Sequence, residues 1–255
     1  MEQQQFPTEE VTLPSQGLLY PEESPLRSGK ISLKYMTARE EDILTNVNLI
    51  KNGTVLDKLL KSLIVTPNVN YDDLLVGDKN AILIAARVLG YGPEYDILLK
   101  HPETGIESKA TIDLTTIEDK LLDKSIIEKE NQNEFSFTLP ASKKSITFKL
   151  LTHGDEVKIE QELKGLVKIN RIGFEGTTKL KHTILSVDGS YDKKVVREFV
   201  DGNFLARDSR ALRKHSKNIS PDVLLQADAV FEDGIVEPKF MFPLGSDFFW
   251  PDAEL

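Results

Sequence analysis

The segment KNAILIAARVLG, residues 79–90, carries apolar side chains on nearly every face of the helix that its composition predicts. Such a helix cannot lie at a surface, because no orientation would turn its apolar groups away from water. We therefore expect a central buried helix around which the other elements pack. Asp78 is predicted to cap the N-terminus of this helix, and Gly90 is predicted to end it.

The spacing of apolar residues before this segment predicts one strand and two helices. A short strand over 31–35 precedes a helix whose start is marked by a capping box, Thr37 with Glu40 three residues later. A second helix is predicted after Thr54, with leucines along one stripe.

Three hairpins are predicted where apolar residues alternate along two successive segments. They span 95–114 across HPETG, 135–150 across PASKKS and 225–244 across EDG. Helices are predicted between the second and third hairpins, from Asp155, over 177–185, around 193–199 and over 205–217.

These patterns together predict an α+β fold, with a helical core and two or three protruding β-hairpins in two lobes. The expected parts are an extended N-terminal arm over 1–30, an N-terminal α+β lobe over 31–150, and a C-terminal helical lobe over 151–255. The first lobe holds the central helix, and the second ends in a hairpin and an aromatic tail.

Both ends of the chain carry large apolar side chains next to prolines, which prevent a continuous helix. Two alternatives are open for these side chains: packing on the protein's own core, or docking into the pocket of a neighbour. Because aromatic side chains dominate binding hot spots, we predict that they bind a partner. The predicted partner-binding residues are Leu13, Pro14, Leu19, Tyr20, Pro21, Phe248, Phe249, Trp250 and Pro251.

Charge is unevenly distributed along the chain, whose net charge is −9. The segment 205–217 contains five basic residues and one acid, whereas 221–255 contains eight acids and one base. Internal pairing of these segments, or simple solvation, is favoured over contact with nucleic acid, because an acidic protein repels phosphates.

Motifs that carry chemistry are missing from the sequence. GxxxxGK[ST], GxGxxG, GxSxG and HExxH do not occur, there is no cysteine, and the four histidines are widely separated. Paired carboxylates such as Asp72–Asp73 stand where helices are predicted to start, which is typical of capping groups. We therefore predict no catalytic, cofactor-binding or metal-binding residue and no small-molecule ligand. No apolar run reaches the ~20 residues of a membrane span, so no membrane contact is expected.

Long stretches of the sequence resemble the T-even-type bacteriophage baseplate protein family, the gene 26 product-like proteins. The similar stretches cover both ends and the middle of the chain: LPSQGLLYPEESPLRSGKISLKYMTAREEDILTN, NGTVLDKLL, DLLVGDKNAILIAARVLGYGPEY, TTKLKHTILSVDG, LARDSRALRKH and GSDFFWP.

The resemblance implies a non-enzymatic protein that builds, or forms part of, the baseplate hub of a contractile tail by contacts with other baseplate, hub or tail proteins. It implies a location in the host bacterial cytoplasm during assembly, with the virion's tail baseplate as a second location. Two alternatives stay open: a transient assembly chaperone absent from the mature virion, and a tail-associated cell-wall hydrolase.

In one respect the chain departs from this family. The resemblance implies CPxCG-like zinc-binding pairs at hairpin tips, but KHPETG and VFEDG stand there instead. We therefore expect turn chemistry and packing, and no metal, to hold these tips.

Overall fold

A computed structural model describes residues 7–127, 129, 131–168, 173–245 and 248–249. The helices are α1 (Ala38–Leu44), α2 (Val47–Lys51), α3 (Val55–Leu63), α4 (Val76–Tyr91), α5 (His153–Lys168), α6 (Glu175–Thr183), α7 (Lys193–Glu198) and α8 (Ala206–Ile219). The strands are β1 (Thr8–Thr12), β2 (Lys30–Lys34), β3 (Glu94–Lys100), β4 (Glu107–Asp113), β5 (Asp119–Lys120), β6 (Phe135–Thr138), β7 (Ser145–Phe148), β8 (Ile184–Val187), β9 (Asp222–Val223), β10 (Gln226–Phe231) and β11 (Val236–Met241). The predicted α+β class is confirmed.

The strands form four antiparallel sheets within the described part of the chain. The largest has the order β11-β10-β4-β3, a second has the order β6-β7-β8, and β1-β2 and β5-β9 are two-stranded. All three predicted hairpins are confirmed as β3-β4, β6-β7 and β10-β11. Strand β10 also pairs with β4, so the third hairpin extends the sheet begun by the first. The division into an arm and two lobes stays a prediction.

Helix α4 is the central element, as its sequence predicts. Its buried side chains include Ile82, Leu83, Ile84 and Ala86, which lie on several faces of the helix. These side chains belong to the hydrophobic core that contains the buried leucines of α3. No helix among the described residues is both long enough and apolar enough to cross a bilayer.

The predicted start of α4 is wrong by three residues, and its predicted end is wrong by two. The helix begins at Val76, which places Asp78 in its first turn, and not at the cap. It continues through Gly90 to Tyr91 and ends at Gly92, whose φ of +85° favours glycine. A Cβ atom on Gly90 would collide with the sulfur of Met36. The glycine at this position therefore lets Met36 pack closely against the helix, and it does not end the helix.

The predicted helix over 177–185 is also wrong at its C-terminal end. Helix α6 stops at Thr183, and Ile184–Val187 form β8, which pairs with β7. Leu180 and Ile184 have helical spacing, but Ile184 and Ser186 both face the interior, as alternate residues of a strand do. Pairing with β7 favours the strand period over the helical period for this segment. That pairing joins residues far apart in the sequence.

The capping box at the start of α1 is confirmed, and its acid is buried. One oxygen of Glu40 accepts hydrogen bonds from the Thr37 N–H at 3.0 Å and the Thr37 hydroxyl at 2.6 Å. The other oxygen accepts from Lys34 Nζ at 2.9 Å and the Ser62 hydroxyl at 2.8 Å. Burial opposes ionisation of Glu40, but these hydrogen bonds outweigh it and lower the pKa to about 2.

Replacing Glu40 with glutamine is expected to remove a pH-dependent part of the stability. Since the pKa in the folded state is depressed, the ionised carboxylate stabilises the fold fully above pH 4.5, and this contribution disappears as the pH falls towards 2. We expect Glu40→Gln to lower the free energy of unfolding by about 1–3 kcal/mol at pH 7, with a smaller difference at pH 3. Urea unfolding at both pH values measures this, with the exposed Glu41→Gln as control. A wild-type-minus-variant difference that does not change with pH would contradict the assignment.

Candidate interaction surfaces

The N-terminal segment lies on the protein itself. Strand β1 pairs with β2, Val11 opposite Ile31, and the chain then turns towards the start of α4. Leu13, Leu19 and Tyr20 are buried in the hydrophobic core. From residue 8 onward, the segment predicted as an arm is therefore packed against its own chain through these contacts.

A buried carboxylate on α4 holds this segment in place. Asp78 is completely buried; its Oδ1 accepts from the Ser15 N–H at 2.9 Å, and its Oδ2 accepts from the Ser15 and Tyr20 hydroxyls, both at 2.6 Å. The Tyr20 oxygen in turn accepts from the Leu75 N–H at 2.9 Å. We call these four residues the Asp78 cluster. Its bonds satisfy the carboxylate within the interior and join the loop after β1 to the start of α4.

Burial dominates the electrostatics of the Asp78 cluster. It raises the pKa of Asp78, although the hydrogen bonds from Ser15 and Tyr20 oppose that shift. It also raises the pKa of Tyr20, and the neighbouring Asp78 charge acts in the same direction. Tyr20 therefore remains a hydroxyl donor at neutral pH.

The aromatic residues near the C-terminus are buried as well. Phe248 and Phe249 are 1% and 2% exposed. The Phe248 ring lies 5.1 Å from Tyr95 and 6.2 Å from Phe242, measured between ring centroids. Both phenylalanines therefore complete the core around the four-stranded sheet. The other two predicted tail residues, Trp250 and Pro251, lie outside the described residues.

Arg87, two turns or more along α4 from Asp78, holds the C-terminal segment. Its side chain is 4% exposed, and its three nitrogens donate to the carbonyls of Phe248, Gly92 and Glu94, each at 3.2 Å. The guanidinium also lies 5.1 Å from the Tyr91 ring centroid. A planar guanidinium suits this role because it presents several fixed donors at once.

The structure thus places most of the predicted partner-binding residues in the interior. Leu13, Pro14, Leu19, Tyr20, Phe248 and Phe249 are buried, whereas Pro21 is exposed. The sequence left two alternatives open for these side chains. In this structure, the six pack on the protein's own core. A partner could contact these six only after they left the core, and the binding of a partner by the predicted residues stays a prediction.

Polar groups converge in a pocket of about 420 Å³ between α3, α4 and α5. Asp57 accepts from the Tyr71 hydroxyl at 3.0 Å and lies 3.6 Å from His153 Nε2. Lys79 Nζ lies 2.7 Å from Glu156 and 3.4 Å from His153 Nδ1. Burial lowers the pKa of His153, against the opposing effect of Asp57. Both carboxylates are therefore engaged by groups of the same molecule.

Two hairpin tips meet at the positions where the resemblance implies cysteine pairs. His101 Nε2, at the β3-β4 tip, lies 3.0 Å from Asp233 Oδ2, at the β10-β11 tip. The His101 ring also packs edge-on against Phe231. Among the described residues, no group of three or more His, Asp or Glu side chains could hold a metal ion.

Helix α8 presents a basic face to solvent. Its anchoring residues are Leu212, which is buried, and Asp208, whose carboxylate accepts from the Ala141 and Ser142 N–H groups at 2.7 and 3.0 Å. Its basic residues are all exposed: Arg207, Arg210, Arg213, Lys214 and Lys217. None of the five forms an ion pair with a residue that the structure describes. Internal pairing with the acidic C-terminal segment is thus not observed within the described ranges.

A groove of about 450 Å³ runs beside this basic face, between α6, α8 and the start of α4. Leu75, Leu180 and Leu212 form part of its apolar floor, and Lys179 and Arg213 stand on its rim. Neither α8 nor the groove was predicted from the sequence as an interaction site. The cluster of uncompensated bases in 205–217 is the sequence signal that could have indicated one.

Comparison with known protein families places the chain among the structural proteins of bacteriophage tails. The family model described as T4 bacteriophage base plate protein matches residues 9–200. The match covers more than half of the chain, and the chain belongs to this family. No curated protein and no solved structure matches it significantly.

Proposed function

We propose that this baseplate protein builds, or forms part of, the central hub of a contractile tail through protein–protein contacts, and that it catalyses no reaction. The observation that carries the proposal is the family match over residues 9–200. A hub role like that of gene 26 products is the finer part of the proposal. It rests on the similar stretches at both ends and in the middle of the sequence.

The outer face of the four-stranded sheet supports a role in protein contacts. Leu98 on β3 and Met241 on β11 are 73% and 75% exposed, and Val230 on β10 and Val236 on β11 are exposed as well. These side chains share the face with polar residues such as Lys109 and Thr111, so they offer separate apolar contacts to a partner. The engaged carboxylates of the polar pocket, Asp57 and Glu156, give no comparable support to the hydrolase alternative.

Mass spectrometry of purified virions tests the proposal against the chaperone alternative. We expect peptides of this chain in particles purified on a density gradient, at a ratio to other baseplate proteins that stays constant through further washing. A stable component is retained because its contacts are part of the finished baseplate. The lysate of infected cells serves as the control for detection. Peptides in the lysate but not in the particles would contradict the hub-component proposal and favour a transient chaperone.

A further inference from the structure

We propose that the groove between α6, α8 and the start of α4 is a docking site for an acidic, partly apolar segment of another protein. The inference rests on the proposed function only in taking that protein to be a neighbour in the baseplate. The groove lies in the described part of the chain, and α8, which forms one wall, follows the residues matched by the family model.

The lining of the groove combines an apolar floor with a basic rim. The floor includes the buried side chains of Leu75 and Leu180, and the rim carries the exposed Lys179, Arg213 and Lys217. Two other charged residues of the lining are compensated inside the molecule. Lys149 lies 2.7 Å from Asp155, and Glu156 lies 2.7 Å from Lys79. The rim charge available to a ligand is therefore mainly positive, with Glu175 as the opposing acid.

The spacing of bases on α8 is unfavourable for the isolated protein. Arg210 and Lys214 are four residues apart, as are Arg213 and Lys217, so like charges are neighbours on the helix surface. Such pairs destabilise a helix by a few tenths of a kcal/mol each. No described carboxylate offsets this repulsion by pairing with them. An acidic ligand would relieve this repulsion on binding. Charge complementarity is therefore the reason for inferring an acidic ligand.

The helix is also fixed in position before any ligand arrives. Asp208 binds two N–H groups of the β6-β7 turn, and Leu212 is buried between the helix and the body of the protein. The basic side chains are thus presented from a rigid support, which lowers the entropy lost on binding.

Other occupants fit these observations less well. Nucleic acid would use the rim but not the apolar floor, and the net charge of −9 would repel its phosphates. A second copy of the chain would carry the same net charge of −9, so the two copies would repel each other. A segment with acidic residues around a few apolar ones matches both the floor and the rim.

Site-specific photo-crosslinking tests the proposal in the full chain. The exposed Glu175 is replaced by p-benzoylphenylalanine, which leaves every rim base in place. The protein is produced in cells infected by the phage that encodes it, the cells are irradiated, and crosslinked peptides are identified by mass spectrometry. We expect crosslinks to one other baseplate protein, within a segment of net negative charge.

A charge-neutralised variant supplies the decisive comparison. The substitutions Arg210→Gln, Arg213→Gln, Lys214→Gln and Lys217→Gln are expected to reduce the crosslink yield roughly tenfold, because the rim bases Arg213 and Lys217 act together with the neighbouring exposed bases of α8. The matched control removes the same charge from exposed lysines away from the groove: Lys51→Gln, Lys58→Gln, Lys158→Gln and Lys193→Gln. The control should crosslink like the wild type, and thermal unfolding should show that both variants are folded.

Several outcomes would overturn the proposal. They are crosslinks to nucleic acid, to a second copy of this chain or to a segment without acidic residues, an equal yield from both variants, and no crosslink at all. Detection of the chain in purified virions together with any of these results would reject the groove as the docking site and leave the proposed function intact. Absence of the chain from virions would reject the hub-component proposal, whatever the crosslinks show.

Discussion

Replacing Asp78 with alanine is expected to lower the free energy of unfolding by about 3–5 kcal/mol. The carboxylate is completely buried and accepts three hydrogen bonds, from the Ser15 N–H, the Ser15 hydroxyl and the Tyr20 hydroxyl. Alanine would leave these donors in the interior without partners, and each unsatisfied group costs about 1–3 kcal/mol. The loss should fall mainly on the loop after β1, because Asp78 accepts the side-chain and main-chain hydrogen bonds that join this loop to α4.

Two measurements together identify the cause of this loss. Urea unfolding gives the change in stability, and amide hydrogen exchange shows where protection is lost, which we expect over residues 13–20. Asp42→Ala, at an exposed position on α1, is the control and should change stability by less than about 0.5 kcal/mol. Uniform loss of protection, with no excess over residues 13–20, would contradict the assigned role of the Asp78 cluster.

Replacing Arg87 with methionine is expected to lower the free energy of unfolding by about 3 kcal/mol and to release Phe248 and Phe249. Methionine preserves much of the apolar stem but offers no donor to the carbonyls of Phe248, Gly92 and Glu94. The buried carbonyl of Phe248 would lose its donor, which is destabilising, and the contact with the Tyr91 ring would be lost as well. The released rings should bind a hydrophobic dye such as ANS under conditions in which the wild type does not.

A double-mutant cycle tests whether this attachment holds the Phe248 ring in the core. Arg87 donates to the main-chain carbonyl of residue 248, which Phe248→Ala retains, so the two substitutions remove different contacts. Each should be strongly destabilising, but their combination should cost less than the sum, because release of the C-terminal segment by Arg87→Met already removes much of the packing of the Phe248 ring. Arg39→Met, at an exposed position of α1, is the control and should neither bind dye nor change stability appreciably. Additive effects of Arg87→Met and Phe248→Ala would show that the guanidinium does not hold the C-terminal segment.

Local patterns predicted the elements of this fold better than their ends. Helix α4 was predicted because its apolar residues continue over a long segment on nearly every face, and the three hairpins were predicted because apolar residues alternate along both of their strands. Strand β8 was not, since Leu180 and Ile184 satisfy a helical period and only the pairing with β7 shows the strand. That pairing joins residues far apart in sequence, and a local pattern contains no information about it.

The location of the apolar ends could not be predicted for a related reason. Leu13, Tyr20 and Phe248 stand in short segments without a period, so nothing local distinguishes burial in the core from burial against a partner. The distinguishing residues are Asp78 and Arg87, the charged residues of α4 that are buried. A buried charge requires a partner, and these two find theirs in the segments near the ends.

The attachment of Phe248 to Arg87 has a consequence for how the chain is made. The two residues are 161 positions apart, so at roughly 5–20 residues per second a ribosome needs on the order of ten to thirty seconds to synthesise the interval between them. During that time the guanidinium has no carbonyl of residue 248 to bind, and the core beside Tyr95 lacks its last rings. A nascent chain interrupted before this point would expose an unfinished interior, whereas one extended past it can close. Completion of the core is thereby coupled to late translation.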